Sequence, residues 1–116
     1  MYNIDDKEYS GIIDKISDEK LDKYFDVTGK ALKMCEVAMN KKDKNTLRQA
    51  KDFFDMASRY YSDASHFKKH KDYVLAFAAL NYAHGWLDAG ARIGLFDVHD
   101  STLFTVDDIP NKNSHF

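Results

Sequence analysis

His84, Asp88 and Arg92 stand four residues apart in the run ALNYAHGWLDAGARIGLF, residues 79–96. On a helix that spacing stacks three side chains along one face. A carboxylate one turn from an imidazole can hold its orientation and tautomer, and a guanidinium beside them can bind an anion. The trio is therefore the candidate binding site for a small ligand or a nucleotide. It brings no identifiable nucleophile, so no catalytic residue is assigned. The same residues also have a plain structural explanation. A core histidine bonded to a carboxylate or carbonyl, continued by a surface ion pair, would place them identically.

Two other histidine patterns need weighing. HFKKH puts His66 and His70 at i and i+4, a spacing able to chelate a transition metal. Lys68 and Lys69 fill the middle, supply no general base and repel a cation, so the pair reads as a solvated helix end and no metal or cofactor is expected. Helical ribonucleases of toxin and defence systems carry an Arg, four to six residues, then a His. Arg59 to His66 and Arg92 to His99 both satisfy that spacing. Chance alone supplies on the order of 0.4 such matches in this composition, so the pattern ranks as an alternative reading. Lys41, Lys42 and Lys44 cluster at one connection and Lys68, Lys69 and Lys71 at another. Placed at opposite ends of a bundle, they form no stripe along a phosphate backbone, and nucleic acid is not the expected partner. They suit instead the negative C-terminal ends of two helices.

The elements that position these residues are helical. A first helix starts at Ser17, an N-cap followed by Asp18 and Glu19. Its apolar stripe is Leu21, Phe25, Thr28, Leu32, Cys35 and Met39, widened by Tyr24, Ala31 and Ala38. The polar run NKKDKNT, residues 40–46, connects to a second helix capped by Asp43 or Asn45. That helix carries Leu47, Ala50, Phe54, Ala57, Tyr61 and Ala64, with Phe53, Tyr60 and Phe67 beside them. A third opens at Asp72, carries Val74, Phe77, Leu80, His84, Leu87 and Ala91, and stops at Gly94. Gly85 and Gly90 inside it cost roughly 0.5–1 kcal/mol each relative to alanine, which predicts close packing against a neighbouring backbone. Short connections make neighbours antiparallel. The expectation is an all-α, antiparallel up-and-down three-helix bundle with a short N-terminal extension and a mostly irregular C-terminal tail. It is read as one domain over residues 1–116, with its core at about 17–96 and residues 97–116 as the tail.

The ends are less regular. Ile4, Ile12, Ile13 and Ile16 either extend the first helix or form a separate short one, with Gly11 allowing a break. TLFTV, residues 102–106, has extended character and must lean on the bundle. The start, MYNIDDKEYS, has no apolar run, so no signal peptide is visible, and no apolar stretch is long enough to cross a membrane. The single cysteine, Cys35, leaves no intrachain disulfide and fits a reducing, cytoplasmic location. The net charge of −2 gives no reason to expect an anionic partner.

YAHGWLDAGARIGLF, followed by LFTVDD, resembles a family of short, mostly archaeal proteins classed as a domain of unknown function. The run Tyr82, Ala83, His84, Gly85, Leu87, Asp88, Ala89 and Gly90 carries the resemblance most specifically. It implies a closed three-helix up-and-down bundle and supplies no activity, cofactor or catalytic residue.

Phe, Trp and Tyr make up 14% of the chain, more ring surface than three helices readily hide. Tyr60, Tyr61, Tyr73 and Trp86 are the candidate interface residues. The leading expectation is a non-enzymatic helical module acting through a protein partner or a homo-oligomer.

Overall fold

The computed structural model describes residues 15–39 and 43–104. Among these residues three helices form: α1 (Asp18–Met39), α2 (Lys44–Lys69) and α3 (Tyr73–Arg92). No strand occurs among the described residues. The expected N-terminal extension over residues 1–14, Lys41 and Lys42 of the first connection, and residues 105–116 lie outside the described residues.

Local chemistry sets the helix ends. Ser17 opens α1, its Oγ accepting from the Lys20 amide at 3.1 Å. Asp43 opens α2, accepting from the Asn45 and Thr46 amides at 3.1 and 3.0 Å. Asp72 opens α3, accepting from the Leu75 amide at 3.3 Å. Two helices close in the same way. After α3 the Leu95 amide returns to the Gly90 carbonyl at 2.8 Å and the Gly94 amide to the Ala91 carbonyl at 3.3 Å, with Gly94 at φ 85°. After α2 the Asp72 amide returns to the Phe67 carbonyl and the Lys71 amide to the Lys68 carbonyl, both at 2.9 Å, with Lys71 at φ 60°. Both are Schellman closures, one built on glycine and one on lysine.

Side-chain contacts give the up-down-up topology. Lys68 near the end of α2 reaches Asp22 near the start of α1 at 2.6 Å, and lies 5.2 Å from the centre of the Phe25 ring. Tyr60 meets Tyr82, and Phe53 meets Trp86, so α2 and α3 also run antiparallel. The core falls into two clusters stacked along the bundle. Leu21, Ala64, Ala76, Ala79 and Leu80 fill the end near the α2–α3 turn. Ala31, Cys35, Ala57, Leu87 and Phe96, among others, fill the opposite end. In α2 the fully buried positions are Ala50, Ala57 and Ala64, seven residues apart. Small residues there let the backbones approach, while Phe53, Phe54, Tyr61 and Phe67 straddle the seams half-buried.

The buried face of α3 is rotated from the expected stripe. Ala76, Leu80, Ala83, Leu87, Gly90 and Ala91 are buried, whereas Phe77 and His84 are half-buried and Val74 is exposed. The glycines divide as well. A methyl group on Gly90 would run into the Phe96 ring, so Gly90 is the close-approach point. Gly85 has none of the described residues within 4 Å of that position and is exposed, so its expected packing role is corrected. Buried side chains continue past α3. Leu95, Phe96, Val98 and Phe104 all enter the core from an irregular segment, turned by Asp100, whose carboxylate accepts from the Thr102 amide at 2.9 Å.

Candidate functional site

Two surfaces of α3 stand out. The first is a groove of about 450 Å³ between α1, α3 and the segment after Gly94. Asn81, His84 and Asp88 enter it from successive turns of α3, and Thr28 faces it from α1. Residues 101–104 form its far wall. His84 lies over the Phe104 ring, with centroids 6.1 Å apart and planes tilted by 30°. The histidine is therefore half-buried at a groove wall. Arg92 does not line this groove. It shares an adjoining hollow with Gly85, Asp88 and Ala89, and Asp88 borders both spaces. The groove thus takes in His84 with Asp88, and the adjoining hollow takes in Asp88 with Arg92.

Asp88 also acts inward. Burial pushes the Cys35 thiol up to about 12, and the Asp88 charge adds to the effect. A thiol held protonated in this way is a packing group, not a nucleophile. Among the described residues, no group of three or more His, Cys, Asp or Glu side chains is arranged to hold a metal ion.

The second surface is the outward face of α3. Leu75, Ala78, Tyr82, Gly85, Ala89 and Arg92 recur at alternating three and four residues, and every one is exposed. Val74 and Ile93 flank them. The large apolar members are well uncovered, at 46% for Leu75, 55% for Tyr82, 59% for Val74 and 64% for Ile93. From Tyr73 to Leu87 the helix carries no Asp, Glu, Lys or Arg. The signal was present in the sequence as a heptad repeat with small and large apolar residues. A search for core positions absorbs such residues into the buried stripe.

The four candidate interface residues lie in four different places. Tyr60 packs edge-on against Tyr82, with centroids 4.4 Å apart, and so borders the outward face of α3. Trp86 packs edge-on against Phe53 at 5.1 Å, and its indole Nε1 is buried with no hydrogen-bond partner among the described residues. Tyr61 faces α1: its hydroxyl donates to the Phe25 carbonyl at 3.3 Å, and its ring meets the Phe25 ring. Tyr73 lies at the opening of α3, where a hydrogen bond to the Asp18 carboxylate raises its phenol.

The Arg–His pairs of the ribonuclease pattern lie on exposed surface. Arg59 holds Asp55 at 3.0 Å, and His99 holds Asp97 at 2.8 Å. The rings of His66 and His70 stand 4.5 Å apart at the end of α2, and His70 Nδ1 donates to the His66 carbonyl at 2.9 Å.

No helix among the described residues is long and apolar enough to cross a membrane. Comparison with curated proteins finds no match, and neither does comparison with solved structures. Comparison with known families matches residues 23–96, which take in most of α1, all of α2 and α3, and the Schellman closure after Gly94. The chain belongs to the family described as protein of unknown function (DUF357).

Proposed function

We propose that this protein is a helical interaction module that presents the outward face of α3 to a protein partner. One observation carries the reading: α3 is apolar on both sides. Its inner face is filled by Ala76, Leu80, Ala83 and Leu87, and its outer face exposes Leu75, Ala78, Tyr82 and Ala89. A helix apolar on two opposite sides belongs inside an assembly, and here α1 and α2 cover only the inner one. The other two helices keep the usual division, with charged residues such as Asp26, Lys30, Asp55 and Arg59 paired on their outer surfaces.

A photo-crosslinking amino acid placed at Ala78 or Ala89 in cells tests this. Adducts should form from those positions and not from Ser62, an exposed position on α2. Equal yields at all three, or none, would remove the reading.

The groove supports a second reading, a binder of a small polar ligand. Asn81, His84, Asp88 and Thr28 converge there beside the Phe104 ring. A thermal-shift screen decides it: a ligand whose stabilising effect survives His84→Ala does not use this site.

A further inference from the structure

We infer that the occupant of the outward face of α3 is a second copy of the same chain, packed antiparallel so that Tyr82 of each copy lies over Gly85 of the other. The inference rests on the reading of that face as a docking surface and names what docks.

It begins with an unexplained glycine. Gly85 sits in the middle of α3, where glycine weakens a helix, and none of the described residues comes near it. A glycine in that position is accounted for if something outside the described chain must approach the helix backbone there. The same stripe carries the group able to do so. Tyr82 is one layer away, 55% exposed, and held in place by the edge of the Tyr60 ring at 4.4 Å. A large side chain already fixed loses little freedom on docking.

The spacing supplies the geometry. Two antiparallel helices meeting through a three-four repeat pair each first position with a second position of the other. In the centred alignment Tyr82 meets the partner's Gly85, and Ala78 meets the partner's Ala89. Leu75 meets the aliphatic stem of the partner's Arg92. Each large residue then faces a small one or a flexible stem, so the face is complementary to itself, as a two-fold interface requires. Parallel packing would set Tyr82 against the partner's Tyr82 and leave Gly85 opposite the partner's Gly85, a clash beside a void.

Charge favours the same choice. No Asp, Glu, Lys or Arg lies on α3 between Tyr73 and Leu87, so the centre of the contact buries none. Asp72 caps one end of the helix and Arg92 stands at the other. Antiparallel pairing brings Arg92 within a turn of the partner's Asp72 and opposes the helix dipoles favourably. The chain's net charge of −2 adds little repulsion between copies. The 20 residues of α3 span about 30 Å, which with the flanking Val74, Trp86 and Ile93 corresponds to an interface at the small end of the stable range, around 1,200 Å² in total. The dimer should therefore dissociate on dilution.

Sedimentation equilibrium of the full chain from about 1 µM to about 1 mM tests this, since weak association falls in that span. A monomer–dimer equilibrium is expected. Tyr82→Ala and Ala89→Glu, both at exposed positions, should weaken it by at least about tenfold while leaving the helical circular-dichroism signal unchanged. Gly85→Ala should weaken it too. Orientation is read by oxidising a mixture of Ala78→Cys and Ala89→Cys. The mixed disulfide should dominate over either homodimer; homodimers alone would mean parallel packing and would overturn the arrangement. A monomer at every concentration would overturn the self-association outright. Crosslinked adducts from Ala78 and Ala89 to a different protein would then still uphold the docking surface, and their absence would remove both.

Discussion

At the scale of single residues, two glycines in one helix have opposite surroundings, and this separates them experimentally. A methyl group at Gly90 would press into the Phe96 ring, which is itself buried, whereas one at Gly85 would meet none of the described residues. Gly85→Ala should therefore stabilise the dilute, monomeric protein by roughly 0.5–1 kcal/mol, the ordinary gain of alanine over glycine in a helix. Gly90→Ala should destabilise it, because the buried ring would have to shift to make room. Urea unfolding at low micromolar concentration reads both, and a shift of the same sign in the two variants would contradict the packing described. The sequence alone placed both glycines in a tight seam. It could not separate them, since the distinction depends on Phe96, a residue beyond the helix whose ring folds back over it. His84 has a similar history. Its spacing with Leu80 and Leu87 suggested a core histidine, but it lies at a groove wall because Phe104, also from beyond the helix, stacks against it.

At the scale of elements, the helix ends were legible and the helix faces were less so. Ser17, Asp43 and Asp72 act through amides two or three residues away, so their role is written locally. Gly94 marks the end of α3 for the same reason, as the residue that adopts a left-handed conformation without steric cost. The closure of α2 hid because a lysine occupies the equivalent place. Lys71 sits at φ 60°, a region that disfavours a side chain with a Cβ. Lys71→Gly should therefore stabilise the protein by about 1 kcal/mol. Gly94→Ala should cost a similar amount, since the same backbone hydrogen bonds close both turns. Thermal unfolding of the two variants checks the pair; a loss in Lys71→Gly would mean that the lysine charge beside the α2 terminus outweighs the backbone strain. The orientation of α3 escaped for a different reason. Periodicity locates a face by contrast between apolar and polar positions, and α3 has too little contrast. Val74 and Phe77 fit one stripe as well as Ala76 and Leu80 fit another, and the packing of α2 selects between them.

At the scale of the whole molecule, the core cluster farther from the α2–α3 turn encloses the Cys35 thiol of α1 completely. This gives the bundle a defined sensitivity to alkali. In the unfolded chain the Cys35 thiol ionises near its ordinary value of 9, while in the fold burial and the Asp88 charge hold it to about 12. Between those values the unfolded state releases a proton that the folded state retains, so stability falls as pH rises. The difference amounts to on the order of 4 kcal/mol by pH 12. Tyr61, raised chiefly by burial, and Tyr73, raised chiefly by its bond to Asp18, act in the same direction. Lys68 does as well, because its bond to Asp22 stabilises the protonated amine, and that contribution is lost as the pH rises through its raised value. Cys35→Ala should therefore separate two effects. At pH 7 the variant is less stable, since it leaves a small void among buried side chains. Between pH 9 and 11 its urea midpoint should fall less steeply than that of the parent, with the remaining slope carried by the tyrosines and Lys68. Parallel slopes in the two proteins would show that the thiol ionises without opening the core, and would place the alkaline weakness at the α1–α2 and α1–α3 contacts instead.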